Sequence, residues 1–497
     1  MAKHLLAIDQ GTTGSTALVI AEDGATLGRA TVEFPQHYPK PGWVEHDANE
    51  IWSSVEASVK KALEAARASQ DDIAGIGITN QRETTLVWDK KTGAPIHRAI
   101  VWQCRRTADV CDALKKAGHA PKILERTGLV IDAYFSGTKV AWLLDHVPGA
   151  RARAEKGELA FGTIDSFLVN RLTSGAVHVT DVTNASRTLL FGLATLAWDD
   201  EMLALFKVPR EVLPNVVSSA EVVGHTKGLS FLRDGIPIAG IAGDQQAALF
   251  GQACFQAGEA KCTYGTGAFA LMNVGTKPVW SKSGLLTTVG WRIGGETTYA
   301  LEGSCFIAGA AVQWLRDGLG LIKSAAEVEA LAREVESSDG VTFVPALSGL
   351  GAPYWDQGAR GTIVGLTRGT TRAHIARATL EGIAFSVFDL LEAMSKDAGR
   401  ELAQLRVDGG AARNDLLMFF QADIARARIE RPYDVESTGR GAAMLAGVGL
   451  GLFTRGEMAK KLLKIERAFE PKMSQADRDA HLSRWRDAVT RTRTHGA

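Results

Sequence analysis

The five residues Asp9-Gln10-Gly11-Thr12-Thr13 decide the fold that this sequence predicts. Apolar residues 5–8 precede them and residues 17–20 follow, a pattern that indicates two short strands joined by a tight turn. Gly11 allows a ligand to approach the backbone closely, and the threonines offer hydroxyl groups. Asp9 ends the first strand and supplies the hard oxygen ligand that suits a hydrated Mg²⁺. Taken alone, the stretch fits both a phosphate cradle and an ordinary surface hairpin.

The composition describes a long chain with balanced charge. Of its 497 residues 45% are hydrophobic and 52 are glycine, which predicts a loop-rich α/β protein with more than one core. Basic and acidic residues number 56 each, and no segment combines basic with aromatic residues, so we expect no nucleic-acid partner. The longest uncharged apolar stretch, residues 441–453, is too short to span a bilayer. It predicts a buried helix and no integral membrane segment.

The cysteines and the start of the chain bear on where the protein works. The five cysteines stand at positions 104, 111, 254, 262 and 305, and none forms a C-x-x-C motif. This spacing favours neither a disulfide framework nor a zinc site. The first predicted strand begins directly after residues 1–4, which leaves no room for a signal peptide. We therefore expect a cytoplasmic protein.

A second strand–turn–strand unit recurs in the other half of the chain. Residues 259–264, the turn Gly265-Thr266-Gly267 and residues 268–274 repeat the opening design. We interpret residues 236–242 as the strand that opens this second half. The repeat predicts two similar α/β domains, residues 1–250 and 251–497, that face each other across a central cleft.

The glycine turns are where the sequence predicts nucleotide binding. No Gly-Lys dipeptide occurs, which excludes a Walker A loop, and no G-x-G-x-x-G, H-E-x-x-H or G-x-S-x-G motif is present. A third glycine element, Asp408-Gly409-Gly410, ends a predicted strand before a helix near Asn414 and can admit adenosine against bare backbone. In this order the turns resemble the nucleotide site of the actin, Hsp70 and sugar-kinase superfold, which has two RNase H-like domains.

Arg82, Glu83 and Asp244 are candidates for binding the acceptor of a phosphoryl group. The first two follow an apolar strand at its carboxyl end, where α/β proteins bind ligands, although adjacent opposite charges also fit a solvated surface pair. A guanidinium that donates beside a carboxylate that accepts suits a polyol. Asp244 fits either a general base for phosphoryl transfer or an N-cap for a helix from Gln246. Trp102 and Tyr134 are further candidates because polar clusters surround them.

Stretches along nearly the whole chain resemble the FGGY family of carbohydrate kinases. Two longer signatures, residues 134–146 and 361–381, support the resemblance. The shorter motifs that carry it are Ile8-Asp9-Gln10-Gly11-Thr12-Thr13, Pro39-Lys40-Pro41-Gly42-Trp43-Val44-Glu45-His46, Thr79-Asn80-Gln81-Arg82-Glu83-Thr84, Trp102-Gln103-Cys104-Arg105-Arg106-Thr107, Tyr134-Phe135-Ser136-Gly137-Thr138-Lys139 and Gly243-Asp244-Gln245-Gln246-Ala247-Ala248.

The resemblance implies phosphoryl transfer from ATP to glycerol, giving sn-glycerol 3-phosphate in glycerol catabolism. It implies that Asp244 is the general base and that Asp9 holds Mg²⁺ through water. The glycerol-binding positions that it implies are Arg82, Glu83, Tyr134, Asp244 and Gln245, with Trp102 and Phe269 beside the carbon chain. The nucleotide positions that it implies are Thr12, Thr13, Gly14, Thr16, Thr266, Gly309, Gln313, Gly410 and Asn414.

One departure and two alternatives accompany this interpretation. Thr16 stands where the family places an arginine, so a positive charge expected near the phosphates is absent from the first hairpin. An FGGY kinase acting on erythritol or a pentulose is one alternative. An actin- or Hsp70-like ATP-dependent binding protein is the other. We further expect a homo-oligomer, either a dimer or a tetramer.

Overall fold

A computed structural model describes residues 3–433, 436–457 and 463–494. Its strands, in chain order, are β1 (His4–Gln10), β2 (Gly14–Ile20), β3 (Thr26–Glu33), β4 (Glu45–His46), β5 (Ile73–Asn80), β6 (Leu86–Asp89), β7 (Ala99–Ile100), β8 (Leu159–Gly162), β9 (Val179–Asp181), β10 (Phe191–Gly192), β11 (Ala197–Trp198), β12 (Asn215–Val217), β13 (Gly224–His225), β14 (Pro237–Gly243), β15 (Glu259–Tyr264), β16 (Ala268–Gly275), β17 (Leu286–Ile293), β18 (Glu296–Cys305), β19 (Thr342–Val344), β20 (Thr362–Val364), β21 (Gln404–Asp408), β22 (Ile429–Pro432) and β23 (Ile465–Phe469).

The helices connect these strands and cover their faces. They are α1 (Ala48–Ala66), α2 (Ala108–Lys116), α3 (Ala120–Thr127), α4 (Ser136–His146), α5 (Ala150–Glu155), α6 (Ile164–Leu172), α7 (Val182–Ala185), α8 (Asp200–Phe206), α9 (Asp244–Gly251), α10 (Gly309–Asp317), α11 (Glu327–Ala332), α12 (Arg372–Ala398), α13 (Asp415–Ala425), α14 (Ser437–Gly449) and α15 (Gln475–Thr492). Short 3₁₀ turns occur at Gln70–Asp72, Arg210–Val212 and Gly410–Arg413.

The first sheet is built around the opening hairpin. Its strand order is β13-β14-β5-β1-β2-β3, with β2 antiparallel to β1 and to β3, and with β5 parallel to both β1 and β14. Successive residues of β1 enter different cores because side chains alternate across a strand. Leu6 and Ile8 pack in the core that contains α1, whereas Leu5 and Ala7 pack in the core that contains α9 and α14. Both faces are buried, which explains the uninterrupted apolar run.

The second sheet repeats this design. Its order is β17-β18-β16-β15-β21-β22-β23, and β15, β16, β18, β21 and β22 match β1, β2, β3, β5 and β14 in position and direction. The two similar α/β units that the paired glycine turns predicted are therefore confirmed. Because the units share one topology, the carboxyl ends of the strands that matter for ligand binding occupy matching places in each half.

Helices α9 and α14 lie between the two sheets. A Cβ atom on Gly441 would stand 1.8 Å from the carbonyl oxygen of Ala247, and one on Gly251 would stand 2.1 Å from that of Ser437. Glycine is thus required for the two helices to meet backbone to backbone. The helix predicted at residues 441–453 is confirmed as α14, with an earlier start and an earlier end.

Two predictions about the organisation of the chain are wrong. The strand predicted at 236–242 is β14, and it lies between β13 and β5 in the first sheet rather than opening the second half. The charged segment 457–493, whose composition predicts a helix, is not one helix, because residues Ile465–Phe469 form β23 at the edge of the second sheet. Exposed edge strands carry many charges, which makes them resemble polar helices in composition. Residues 458–462 of that segment lie outside the described residues.

Within residues 3–433, 436–457 and 463–494, no helix combines the length and the apolar character needed to cross a bilayer.

Candidate active site

The tip of the first hairpin is fixed by hydrogen bonds to its own backbone and to a distant tryptophan. The Gly11 N–H donates to the Gly14 carbonyl at 2.9 Å and closes the turn. The indole Nε1 of Trp102 donates to the Thr12 hydroxyl at 3.0 Å. A hydroxyl has one donor and two acceptor positions, so the Thr12 proton stays available for a phosphate oxygen. The structure thereby joins a predicted phosphate residue to a predicted acceptor residue.

A buried amide holds the same turn from below. Gln81 Nε2 donates to Gln10 Oε1 at 3.0 Å and to the Gly11 carbonyl at 3.2 Å. The Thr84 hydroxyl donates to Gln81 Oε1 at 2.9 Å and accepts from the backbone N–H of Trp102 at 3.3 Å. These bonds connect the phosphate turn with the loop after β5, where the acceptor candidates lie.

The Asp9 carboxylate has no protein partner. Within the described part of the chain it forms no hydrogen bond and no ion pair, although it is partly buried. Burial, reinforced by the negative charge of Asp244, raises the pKa of Asp9 from 3.8 to about 8. A partly buried carboxylate without a protein partner fits a position next to a bound cation.

The surrounding residues do not complete a cation site by themselves. No group of three or more His, Cys, Asp or Glu side chains gathers into a metal site among the described residues. Mg²⁺ commonly uses one or two carboxylates together with water and substrate phosphates. Asp9 therefore fits the predicted contact through water, with the remaining ligands supplied by ATP and solvent.

Arg82 is almost saturated by protein groups. Its Nη1 and Nη2 donate to the two oxygens of Glu302 at 2.5 and 2.9 Å, and its Nε lies 3.1 Å from Asp244 Oδ1. Nη1 also donates to Gln246 Oε1 at 3.2 Å, and Nη2 lies 3.5 Å from the Tyr134 hydroxyl. Each of the five N–H groups of the guanidinium thus faces a protein acceptor, and the longest of these contacts, from Nη2 to the Tyr134 hydroxyl, is the one that a ligand oxygen replaces most readily.

Glu83 is held by a second buried arginine. Arg187 Nε donates to Glu83 Oε1 at 2.7 Å, and Arg187 Nη2 donates to Glu302 Oε1 at 3.0 Å. Burial alone would raise the pKa of Glu302, but the charges of Arg187 and Arg82 hold it at about 2. Oε2 of Glu83 accepts no hydrogen bond from the described residues, and is therefore open to a ligand hydroxyl.

Asp244 is the first residue of α9, so the helix starts two residues earlier than predicted and Gly243 is its N-cap. Its Oδ1 accepts from the Gln245 N–H at 2.7 Å and contacts Arg82. No described residue donates to its Oδ2, which leaves this oxygen for a proton from an acceptor. Asp244 is therefore not the N-cap of this helix, which is the alternative that the sequence leaves open.

Gln245 is oriented by a buried lysine. Lys261 Nζ donates to Gln245 Oε1 and, at 3.1 Å, to the Thr263 hydroxyl. Burial lowers the pKa of Lys261, and electrostatic interactions with Asp408 and Asp244 oppose that shift. Lys261 belongs to the second sheet, so it reaches across to a residue that follows the first.

Aromatic rings flank the acceptor candidates. Trp102 and Tyr134 meet edge to face, with ring centroids 5.6 Å apart and planes at 88°. Burial raises the pKa of Tyr134, which keeps its hydroxyl neutral. Phe269 pairs with Ser304, so it shares a face of the second sheet with Glu302. No ring contact joins Phe269 to Trp102 among the described residues.

The second hairpin tip is wrapped by the start of α10. The Thr266 carbonyl accepts from the N–H groups of Ala308 and Ala310 at 2.8 and 3.0 Å, and Gly309 N–H donates to Gly265. A Cβ on Gly309 would lie 2.6 Å from the Gly265 carbonyl oxygen, so packing itself requires this glycine. Gln313 is exposed one turn further along α10, on the same face as Gly309.

The remaining nucleotide positions differ in how freely they can meet a ligand. A Cβ on Gly410 would meet no atom within 4 Å, so this glycine faces open space, whereas Gly14 is required because its Cβ would lie 2.9 Å from the Val32 carbonyl. Asn414 Oδ1 caps α13, leaving its Nδ2 for a ligand. Thr13 is exposed at the first tip.

Thr16 occupies the position of the missing arginine, and its hydroxyl is already engaged. It forms a 2.8 Å hydrogen bond with the Thr31 hydroxyl on β3, and it pairs with Asp9 in the strand register. The predicted contact between Thr16 and a nucleotide would therefore compete with a bond inside the sheet.

Sequence reasoning missed Glu302, Arg187 and Lys261. Each is a single charged residue in an otherwise apolar or small-residue stretch, which is the available signal, because full burial of a charge requires a partner. The partners could not be read from the sequence, since Arg82 and Glu302 are 220 residues apart and Arg187 and Glu302 are 115 apart.

Comparison with known proteins assigns the class. The N-terminal domain model of the FGGY family of carbohydrate kinases matches residues 4–251, and the C-terminal domain model matches residues 260–450. The chain therefore belongs to the FGGY family of carbohydrate kinases. This membership supports an enzyme over an actin- or Hsp70-like binding protein.

Within this family, several of the proteins that the chain resembles are glycerol kinases. The chain is 59% identical to glycerol kinase of Deinococcus radiodurans, over 99% of this chain and 98% of the relative. It is 57% identical to glycerol kinase of Myxococcus xanthus, over 99% of each. Among solved structures, Plasmodium falciparum glycerol kinase with ADP superposes with a TM-score of 0.94 at 38% identity, covering 98% of both chains.

Proposed function

We propose that this protein transfers the γ-phosphoryl group of ATP to glycerol and forms sn-glycerol 3-phosphate. The observation that carries the proposal is the set of unpaired or weakly paired polar groups beside Trp102. These are Oε2 of Glu83 and Oδ2 of Asp244, which accept no hydrogen bond from the described residues, and the Nη2–H of Arg82 whose only partner is the Tyr134 hydroxyl at 3.5 Å. One donor and two acceptors suit the three hydroxyls of a small triol. The full-length similarity to glycerol kinases supports the same acceptor.

In this proposal Asp244 is the general base. The Arg82 N–H donates to one glycerol hydroxyl and Glu83 accepts from another, which orients the chain between Trp102 and Tyr134. Oδ2 of Asp244 takes the proton of the third hydroxyl as its oxygen bonds to the γ-phosphorus and the bond to the ADP oxygen breaks. Phe269 and Gln245 complete the acceptor site.

The two hairpins hold ATP from opposite sides. Hydroxyl and N–H groups of the first tip and of Thr266 contact the phosphates, and the open face at Gly410 receives adenosine. Mg²⁺, held through water by Asp9, would neutralise charge on the phosphates. The nucleotide positions proposed are Thr12, Thr13, Gly14, Thr16, Thr266, Gly309, Gln313, Gly410 and Asn414.

The proposal extends to domains, compartment and assembly. We assign residues 1–250 and 251–497 to two domains that close on the substrates and exclude water as a competing acceptor. All five cysteines are buried and free, which suits a reducing compartment and supports action in the cytoplasm. We also propose a homo-oligomer, a dimer or a tetramer.

Larger acceptors are the competing interpretation. A tetritol or pentulose would bring more hydroxyls than Arg82, Glu83 and Asp244 can satisfy, and an unpaired buried hydroxyl costs about 1–3 kcal/mol. Initial rates with ATP and a panel of glycerol, dihydroxyacetone, erythritol and xylulose test the assignment. We expect the highest kcat/KM with glycerol, and a clear preference for another acceptor would contradict the proposal.

A further inference from the structure

A buried carboxylate from the second sheet ties together two arginines of the first half of the chain. Glu302 lies on β18, whereas Arg82 follows β5 and Arg187 follows α7. Glu302 Oε1 accepts from both arginines, at 2.9 and 3.0 Å, and Oε2 accepts from Arg82 at 2.5 Å. Exposed fractions of the three side chains are 3% or less, so water does not substitute for these contacts.

We propose that Glu302 and Arg187 are positioning residues for the phosphoryl acceptor. Glu302 fixes the plane of the Arg82 guanidinium, and Arg187 fixes the Glu83 carboxylate, so that Arg82 and Glu83 each hold one orientation toward the acceptor. The inference rests on the proposed function of Arg82 and Glu83 in binding glycerol.

Glu302 limits the hydrogen bonds that Arg82 can offer to a ligand. Without Glu302, one N–H on each Nη group would lose its partner, and the guanidinium could offer these donors in several orientations. With the bidentate contact in place, the only weakly held N–H is the one that donates to the Tyr134 hydroxyl at 3.5 Å, and an acceptor hydroxyl can take its place. A fixed single donor defines where an acceptor hydroxyl must sit, and thereby places another hydroxyl near Asp244.

Arg187 acts on Glu83 in the same way. Its Nε holds Oε1 at 2.7 Å, which directs Oε2 away from the arginine. Glu83 itself has φ of 57°, an unusual backbone conformation that a fixed side chain helps to maintain. The Nη1 of Arg187 is buried and has no hydrogen-bond partner among the described residues, so the two contacts to Glu83 and Glu302 are the ones that hold its side chain.

Charge balance offers a purely structural explanation that must be separated from positioning. The four buried charges, Arg82, Arg187, Glu83 and Glu302, sum to zero, with the partly exposed Asp244 also paired to Arg82, and loss of one buried partner would leave an uncompensated charge. Removing one arginine together with one glutamate preserves the balance. Such a pair of changes therefore removes the positioning contacts without leaving excess charge.

The test compares Glu302→Gln with the balanced double variant Glu302→Gln/Arg187→Gln. We expect Glu302→Gln to lower kcat/KM for glycerol about 100-fold, with unchanged nucleotide Kd and with a lower Tm. In the double variant we expect Tm to recover while kcat/KM for glycerol stays low. Glu296→Gln, at the exposed start of the same strand, is the matched control and should behave as the parent.

The outcomes separate this inference from the function on which it rests. If the double variant regains both Tm and kcat/KM, or if folded Glu302→Gln keeps the parent kcat/KM, positioning is overturned. Should Glu302→Gln fail to fold, Arg187→Lys decides, because it keeps the charge and loses the two-pronged contact; parent-like glycerol kinetics there would overturn the inference. Failure of the unmodified protein to phosphorylate glycerol would instead refute the proposed function.

Discussion

The two hairpin units have the same topology but exchange their acidic residue. In the first, Asp9 on β1 stands beside Thr79 on β5 in the parallel register. In the second, Thr263 on β15 stands beside Asp408 on β21. The same pair of residue types thus occupies the same two strands, with the carboxylate moved to the neighbouring strand.

The helices that follow β14 and β22, which occupy matching places in the two sheets, also begin with different residue types. Helix α9 begins with Asp244 in the first half, and α14 begins with Ser437 in the second. Ser437 donates its hydroxyl to Asp408, whereas Asp9 and Asp244 face each other without a shared donor. The first half keeps two carboxylates open to ligands, while the second engages its carboxylate within the protein. This contrast supports phosphoryl transfer at the first unit and nucleotide binding at the second.

The largest effect on turnover is expected at Asp244, the carboxylate that stands where the second half has the hydroxyl of Ser437. Asp244→Asn removes the proposed base and should lower kcat about 10³-fold or more. Nucleotide Kd should stay within about twofold, because the amide keeps the size of the side chain. Steady-state kinetics and nucleotide titration check this. Asp200→Asn, at the exposed start of α8, is a matched control, and comparable rates in Asp244→Asn and the parent would refute the assignment.

The second-largest effect on turnover is expected at Asp9, the carboxylate without a protein partner. Asp9→Asn should lower kcat about 100-fold and yet increase the free energy of unfolding at pH 8 by about 1–3 kcal/mol, because an unpaired charge is removed. Asp408→Asn should instead destabilise the protein, since its charge interacts favourably with buried Lys261. Denaturant titrations of both variants measure the difference. Stability changes of the same sign would show that the two units do not differ as described.

The stability gain at Asp9 should depend on pH. The folded protein raises the pKa of Asp9 from 3.8 to about 8, so between these values it retains a proton that the unfolded chain releases. Stability of the ligand-free parent should therefore fall as pH rises through this window, and Asp9→Asn should remove that contribution. A variant whose advantage at pH 8 persists unchanged below pH 4 would contradict the assignment to this carboxyl.

The sequence predicted the repeated hairpins because turn glycines and apolar runs are local signals. Arg82, Glu83 and Asp244 were likewise visible as polar residues at strand ends. Glu302 could not be placed in the site, because its role arises from strands that meet only in the folded chain. The assignment of β14 to the wrong half has the same origin, since an apolar strand carries no local mark of the sheet that it joins.

A smaller effect is expected from the lysine that connects the two units. Lys261→Met removes the donor to Gln245 and to Thr263, so Gln245 should be less well oriented beside Asp244. We expect kcat/KM for glycerol to fall about tenfold, with little change in nucleotide Kd. Lys277→Met, an exposed residue after β16, is the control. Parent-like kinetics in Lys261→Met would show that the buried lysine serves the second sheet alone.

The smallest effect tests the bond that sets the first tip apart from the second. Thr12 accepts from Trp102, whereas the Thr266 side chain forms no hydrogen bond with the described residues. Trp102→Phe keeps an aromatic wall but removes the donor, and loss of about 1 kcal/mol should raise KM for ATP about fivefold. Trp280→Phe is the control, because it loses a comparable indole bond, to the Glu125 carbonyl, that involves neither hairpin tip. If both variants have the same KM for ATP, the Thr12 hydroxyl does not depend on Trp102, and the two tips hold phosphate in the same way.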